Sequence, residues 1–431
     1  MRSQALKAPL RRPTFRRLAL SYAVNELGDW LGIVALSVLV FELTESAFAT
    51  TALFLGTGFL PALLTPLLVA RVERPPPRFV LPTIYAGEAA AFGALALLAD
   101  HFSLAAVIAV ATIDGTLALA ARALTRAVAA AMLQEEGELR AGNAILNIAF
   151  TGGAAVGPAI AGGVVAAFGV QSALLLDAAS FYAIAWILFT GGHLPLAEPE
   201  PGHMGQRLRA GIAYIRGHAT LRRLLAAQAA AFVFFAAVLP VEVIYAKETL
   251  DAGDTGYGLL LGSWGAGMVS GSIVFAMLRR AELPVLLFFS TLTIGAGYLC
   301  MAAAPTLALA CAAAALGGVG NGVQWVALVS AVQDLTKASM QARVMSVLES
   351  SGAAMPGLGF VLGGLIATTI GTRATFLTAG VGVLAIVAVF APLLGKTWKA
   401  AESAAVAEES SDRPRDLDAD DEIMVELIPR G

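Results

Sequence analysis

Apolar residues run through this chain in long blocks, separated by short segments that hold most of its charge. About 20 apolar residues cross ~30 Å of hydrocarbon. Twelve blocks reach that length: 17–41, 48–70, 79–99, 102–125, 142–168, 171–191, 224–246, 256–278, 283–303, 305–332, 344–369 and 373–394. We number them span 1 to span 12. The pattern predicts an all-α membrane protein, because helices satisfy their backbone polar groups within each crossing.

The fifth block repeats in the eleventh. RAGNAILNIAFTGGAAVGPAIAGGVVAAFG ends on Gly169, and QARVMSVLESSGAAMPGLGFVLGGLIATTIG ends on Gly371. Aligning Gly162-Gly163 with Gly363-Gly364 sets an offset of 201. A second echo sets Phe48, Gly56 and Gly58 of span 2 on Tyr257, Gly265 and Gly267 of span 8, an offset of 209. Small residues let helices approach closely. A repeated small-residue helix implies two related six-helix bundles, pseudo-symmetric around a central cavity. Residues 1–191 form the first half and 224–399 the second. Between them, 192–223 opens Pro/Glu-rich and continues with Leu208, Ile212, Ile215 and Leu221 at near-helical spacing among arginines. That predicts an amphipathic helix on the membrane surface. The tail 400–431 is acidic and is expected to be disordered.

Composition agrees: 58% hydrophobic and 14% charged, against about 25% charged in soluble domains. If both termini face inside, all of the 28 basic residues except Lys247 and Arg373 fall on inner segments or inner span ends. The positive-inside rule then puts both termini in the cytoplasm, as in a multi-pass protein of the cytoplasmic (inner) cell membrane. Cys300 and Cys311 lie in apolar runs and read as small core residues. The first span carries Asn25, Glu26 and Asp29 with no cleavage site after it, unlike a signal peptide.

Ionisable groups inside a bilayer cost about 2.5–3.5 kcal/mol to insert and face a cavity or a partner. Asp29 in span 1 and Asp114 in span 4 each lie ~18 Å deep at 1.5 Å per residue. Glu26 and Asn25 share the face of Asp29 at spacings of three and four. Arg122 and Arg126 are one turn apart near the inner end of span 4 and read either as cavity residues or as side chains snorkelling to headgroups. Glu242 in span 7 reads as cavity-lining or solvated, and Gln228 lies near that span's inner end. Asn321, Gln324 and Trp325 of span 10 read as cavity lining or interhelical packing. Glu88 of span 3 reads as a packing residue, and Asp177, Asp334 and Glu349 as solvated span ends.

The chain resembles the major facilitator superfamily across spans 1–12, and within it the macrolide-efflux and enterobactin-export branch. The resemblance rests on FRRLALSYAVNELGDWLGIVALSVLVFELTESA and ELRAGNAILNIAFTGGAAVGPAIAGG. The family's loop between spans 2 and 3 is echoed by VARVERPPPR, where Glu73, Arg74 and Arg78 take the charged places. Val69 and Pro76 replace its glycines. The fifth-helix antiporter motif is echoed by Gly153, Gly157, Pro158 and Gly162, with Ala161 in place of one glycine. The resemblance implies that spans 1, 4, 7 and 10 line the cavity and that the protein is an efflux antiporter.

The reading is therefore a non-enzymatic secondary transporter. It exports an amphipathic small molecule (a drug, siderophore or metabolite) by alternating access, as a monomer in the lipid bilayer. No cofactor, metal or nucleic acid is called for; the proton gradient supplies the energy, and no GxxxxGK[ST] nucleotide loop occurs. Asp29 is the expected protonation site, with Glu26 or Asp114 as its partner. Uptake or facilitated diffusion by the same fold, or a non-transporting scaffold or sensor acting through the acidic tail, are the alternatives.

Overall fold

The computed structural model describes residues 8–72, 76–133, 138–191, 194–195, 204–278, 281–337 and 340–411. Among them every regular element is helical, and eleven helices are long and apolar enough to cross a membrane. One is too long to cross once. Leu139–Thr190 has 52 residues, ~78 Å at 1.5 Å per residue. Gly169 divides it, at φ 80° and ψ 165°, a conformation essentially restricted to glycine. Spans 5 (139–168) and 6 (170–190) result, and the crossings number twelve. The others are Pro13–Thr44, Ala47–Val69, Pro77–Asp100, Leu104–Leu133, Ala219–Thr249, Gly253–Met277, Leu283–Ala303 and Leu307–Asp334, then Gln341–Thr369 and Thr372–Ser411.

Local chemistry sets the joints. Glu45, at φ 48°, ends span 1, and the Ser46 side chain caps span 2 by accepting from Ala49 N at 3.3 Å. Thr306 caps span 10 in the same way. Span 2 widens into a π turn at Leu55–Phe59, and span 7 tightens to a 3₁₀ turn at Leu239–Val241. Large side chains such as Leu97, Phe168 and Met277 are exposed, as lipid-facing positions require.

The twofold relation is clearest where helices cross. Cβ atoms built on Gly153 and Gly157 would stand 3.0 Å from Glu26 Cβ and 2.8 Å from Trp30 Cβ, so span 5 lies directly on span 1. Gly162 meets Gly258 Cα of span 8 in the same way, at 2.8 Å. In the second half Gly359 and Gly363 press on the Val233 and Ala237 backbone of span 7, and Gly364 presses on Thr51 of span 2. Gly157 therefore corresponds to Gly359, Gly162 to Gly364, and the turn at Gly169 to Gly371, at φ 123°. That offset is 202, one more than aligning the glycine pairs gives. The residues of spans 2 and 8 that receive these glycines are Thr51 and Gly258, an offset of 207 in place of 209.

Twelve crossings put the start of span 1 and the end of span 12 on one face, here the termini face; the opposite face is distal. The two halves join on the distal side, through spans 5 on 8, 11 on 2, and the distal end of span 7 on spans 1 and 2. On the termini side, Leu60–Val72 of span 2 packs on span 4, while Ala219–Val238 of span 7 packs on spans 11 and 12. The halves therefore separate toward the termini face.

The linker forms a helix at Met204–Gly217. It docks on the second half. Gly211 touches Arg343 O and Val347 of span 11, and Tyr214 Oη accepts from Lys337 N at 3.2 Å. Part of the tail expected to be disordered, residues 400–411, continues the helix of span 12; 412–431 lie outside the described residues. Cys300 is exposed and Cys311 half-buried, both as free thiols, so Cys300 is not the core residue expected.

Candidate functional site

Span 1 carries Tyr22, Asn25, Glu26 and Asp29 on one stripe, and span 4 brings Arg122 to it. Arg122 Nη2 donates to Asp29 Oδ2 at 2.5 Å. It also donates to Glu26 Oε2 at 3.2 Å, while Nε stands 3.1 Å from Glu26 Oε1. Asn25 Nδ2 donates to the same Asp29 oxygen at 3.1 Å. One guanidinium thus bridges two carboxylates, and Phe150 of span 5 lies 5.8 Å beneath it. Arg122 does not snorkel; it reaches into the protein. Arg126 is exposed and donates to Tyr22 Oη at 3.4 Å.

The burial is uneven. Asn25 and Glu26 are fully buried, and the Asp29 side chain keeps 21% of its exposure. Asp29 is therefore the open edge of the cluster. Asp114 is half-buried, with Oδ1 lacking a partner, and it feels the charge of Asp29. Gly153 and Gly157 let span 5 press on span 1 at Glu26 and Trp30, which flank Asp29 in sequence. Pro158 lies on the same helix, its carbonyl against Gly258 of span 8.

On the distal side of the cluster the passage is shut by apolar side chains from both halves: Ile33, Phe54, Ala236, Leu239 and Phe360. The Phe54 and Phe360 rings are 5.5 Å apart. Farther out, Lys247 Nζ at the end of span 7 reaches Glu42 Oε1 of span 1 at 2.6 Å and Asp254 Oδ1 of span 8 at 2.7 Å. That lock ties the two halves together. Its sequence signal was Lys247 itself, one of two basic residues outside the inner segments.

The second half lines the passage less than expected. Glu242 is 6% exposed, with Oε2 unpartnered, so it is not solvated; it lies close enough to Tyr257 and Tyr298 to interact electrostatically. Gln324 is buried and donates from Nε2 to Gln228 Oε1 at 2.7 Å, so it acts as interhelical glue. The pair borders a cavity of about 250 Å³ among spans 7, 9, 10 and 12. Asn321 is half-buried and Trp325 is 41% exposed, so the span 10 triplet does not act as one unit. Arg78 stacks on Phe79 at 4.6 Å; Glu73 and Arg74 lie outside the described residues.

Asp177 is fully buried and not a solvated span end, while Asp334 and Glu349 are exposed. Glu88 is fully buried, as a packing residue is, with neither oxygen partnered.

A family model described as "Transmembrane secretion effector", of the major facilitator type, matches residues 4–424. The chain belongs to this family. It is accordingly a membrane transporter and not an enzyme. No curated protein matches the chain significantly. Among solved structures it is similar to a bacterial homologue of the human lysosomal transporter Spinster, inward-facing and unoccupied. That likeness has TM-score 0.71 and 12% identity, over 91% of this chain and 98% of that one. It is also similar to the nucleoside transporter NupG, with TM-score 0.68 and 13% identity over 88% and 98%. A POT family transporter in complex with a thioalcohol-conjugated peptide gives TM-score 0.67 and 13% identity over 88% and 96%. At these identities the likeness shows the fold.

Proposed function

We propose that the protein is a proton-coupled exporter of amphipathic organic cations in the cytoplasmic membrane, with both termini in the cytoplasm. The observation that carries this reading is the Arg122–Glu26–Asp29 bridge at the closed end of the cavity. One arginine between two carboxylates leaves a net negative charge when both acids are ionised. Asp114 adds to it. A cation entering from the termini side competes with Arg122 for Asp29, and the apolar Phe54 and Phe360 offer its hydrophobic part a surface.

Protonation of Asp29 removes the charge that holds the cation. Substrate and proton therefore exclude each other at one carboxylate, which is the condition for exchange. Coupling requires that the two conformations bind the proton unequally. The distal lock and plug close one side while the other is open, as alternating access demands. With basic residues concentrated on the termini face, that face is cytoplasmic, and loading there followed by distal release is export.

The test uses inside-out vesicles loaded with protein, an imposed pH gradient and a fluorescent lipophilic cation. Wild type accumulates the dye only with the gradient. Asp29→Asn is expected to lose gradient-driven accumulation by tenfold or more. Undiminished accumulation in that variant removes Asp29 from the mechanism.

A further inference from the structure

Beside the Asp29 cluster, a second acidic group is enclosed by spans 1, 3 and 6. Glu88 shares a face of span 3 with Tyr85 and Phe92, at spacings of three and four. Asp177 shares a face of span 6 with Phe181, at a spacing of four. Those two faces are joined by aromatic stacking: Phe92–Phe181 at 5.4 Å and Tyr85–Phe181 at 6.3 Å. Span 1 makes room for them. A Cβ on Gly28 or Gly32 would meet Asp177 Oδ1 or Oδ2, and on Gly32 also the Phe92 ring. In LGDWLG the two glycines thus open the face of the helix next to Asp29 to Asp177.

Glu88 and Asp177 are both fully buried. Neither oxygen of Glu88 has a partner, and Asp177 Oδ2 has none. The Asp177 contacts are local: Ser180 Oγ donates to Oδ1 at 3.3 Å. The charged groups around Glu88 are Asp114 and Arg122 of span 4, Asp29 of span 1 and Asp177 of span 6. Those around Asp177 are Asp29 and Asp114. The surroundings are therefore mostly acidic, and the cation nearby, Arg122, is already bound to Glu26 and Asp29. Unpaired carboxylates cannot hold charge together in a dry site. A protonated carboxyl supplies its own donor, and an adjacent carboxyl oxygen accepts it.

We propose that Glu88 and Asp177 form a second proton-binding site, buried among spans 1, 3 and 6 beside the Asp29 cluster.

The proposal rests on the proton-coupling reading and deepens it. It is tested without substrate or gradient, so the two fail separately. Full-length protein in liposomes is titrated while infrared difference spectra record the protonated-carboxyl C=O band. Wild type is expected to show a titrating band that Glu88→Gln and Asp177→Asn each reduce by about one carboxyl equivalent, and that survives in Asp29→Asn. Isotope labelling of glutamate alone, then of aspartate alone, assigns the band in wild type should a variant fail to fold. A band with no glutamate contribution, or a Glu88 contribution constant at every pH, overturns the proposal.

Discussion

Arg122 Nη2 of span 4 lies 2.5 Å from Asp29 Oδ2 of span 1. This contact joins two helices of the same half at the level where the cavity ends. In the proposed cycle, Asp29 answers to two cations in turn, the protein's own and the transported one.

Removing the arginine should therefore be worse than removing an acid. Breaking a buried pair by deleting one partner costs about 3–5 kcal/mol. With 30% of the Arg122 side chain exposed, about half that is expected. Arg122→Ala should lower the melting temperature in detergent, and the triple variant with Glu26→Gln and Asp29→Asn should recover most of the loss. A triple variant as unstable as Arg122→Ala contradicts the bridge.

Gly162 and Gly163 are neighbours with opposite surroundings. A Cβ on Gly162 collides with span 8, while one on Gly163 meets nothing within 4 Å. Gly162→Leu should cut the transport rate at least tenfold, and Gly163→Leu should change it less than twofold. Gly157→Leu, against Trp30, should slow cycling more than it weakens dye binding. Fluorescence binding beside vesicle flux separates these effects.

The Lys247 lock holds the distal side shut. An exposed ion pair contributes about 0.2–1 kcal/mol, and the Lys247–Glu42 contact is the one that crosses between the halves. Lys247→Gln should raise the distal-open population roughly fivefold, for ~1 kcal/mol at 1.4 kcal/mol per decade. The measurement is alkylation from the distal side of a cysteine placed at Ile33, in a background lacking Cys300 and Cys311. An unchanged alkylation rate argues against a lock.

Gln228 and Gln324 satisfy each other inside the second half. Leaving one buried amide without its partner costs about 1–3 kcal/mol, whereas replacing both with apolar residues is nearly neutral. Gln324→Leu should thus melt earlier than the Gln228→Leu/Gln324→Leu double variant. Equal melting of the two would show that the hydrogen bond carries no weight.

The twelve crossings were legible because lipid imposes one strict rule on backbone and length. Asp29, Glu26 and Asn25 were legible as a stripe because helical spacing alone puts them on one face. What spacing cannot tell is which neighbour that face meets. Arg122 looked as suited to the headgroups as to the interior until span 1 stood beside it. Asp177 sits seven residues into its span, and only the absence of side chains at Gly28 and Gly32 lets it enter the protein there. The repeat was legible but misaligned by one. Glycine pairs match best at 201, whereas contacts and the two left-handed turns match at 202. Ala161 stands where the second half has Gly363, and it disguised the true phase.

Each half lends one helix to the other: span 5 touches span 8 at Gly162, and span 11 touches span 2 at Gly364. At Gly162 the neighbour is the Gly258 backbone and at Gly364 the Thr51 side chain, so sliding at either point meets packed atoms, while rotation about the line between them does not. The glycines therefore act as the two bearings of an axle, and motion between the halves becomes a single swing.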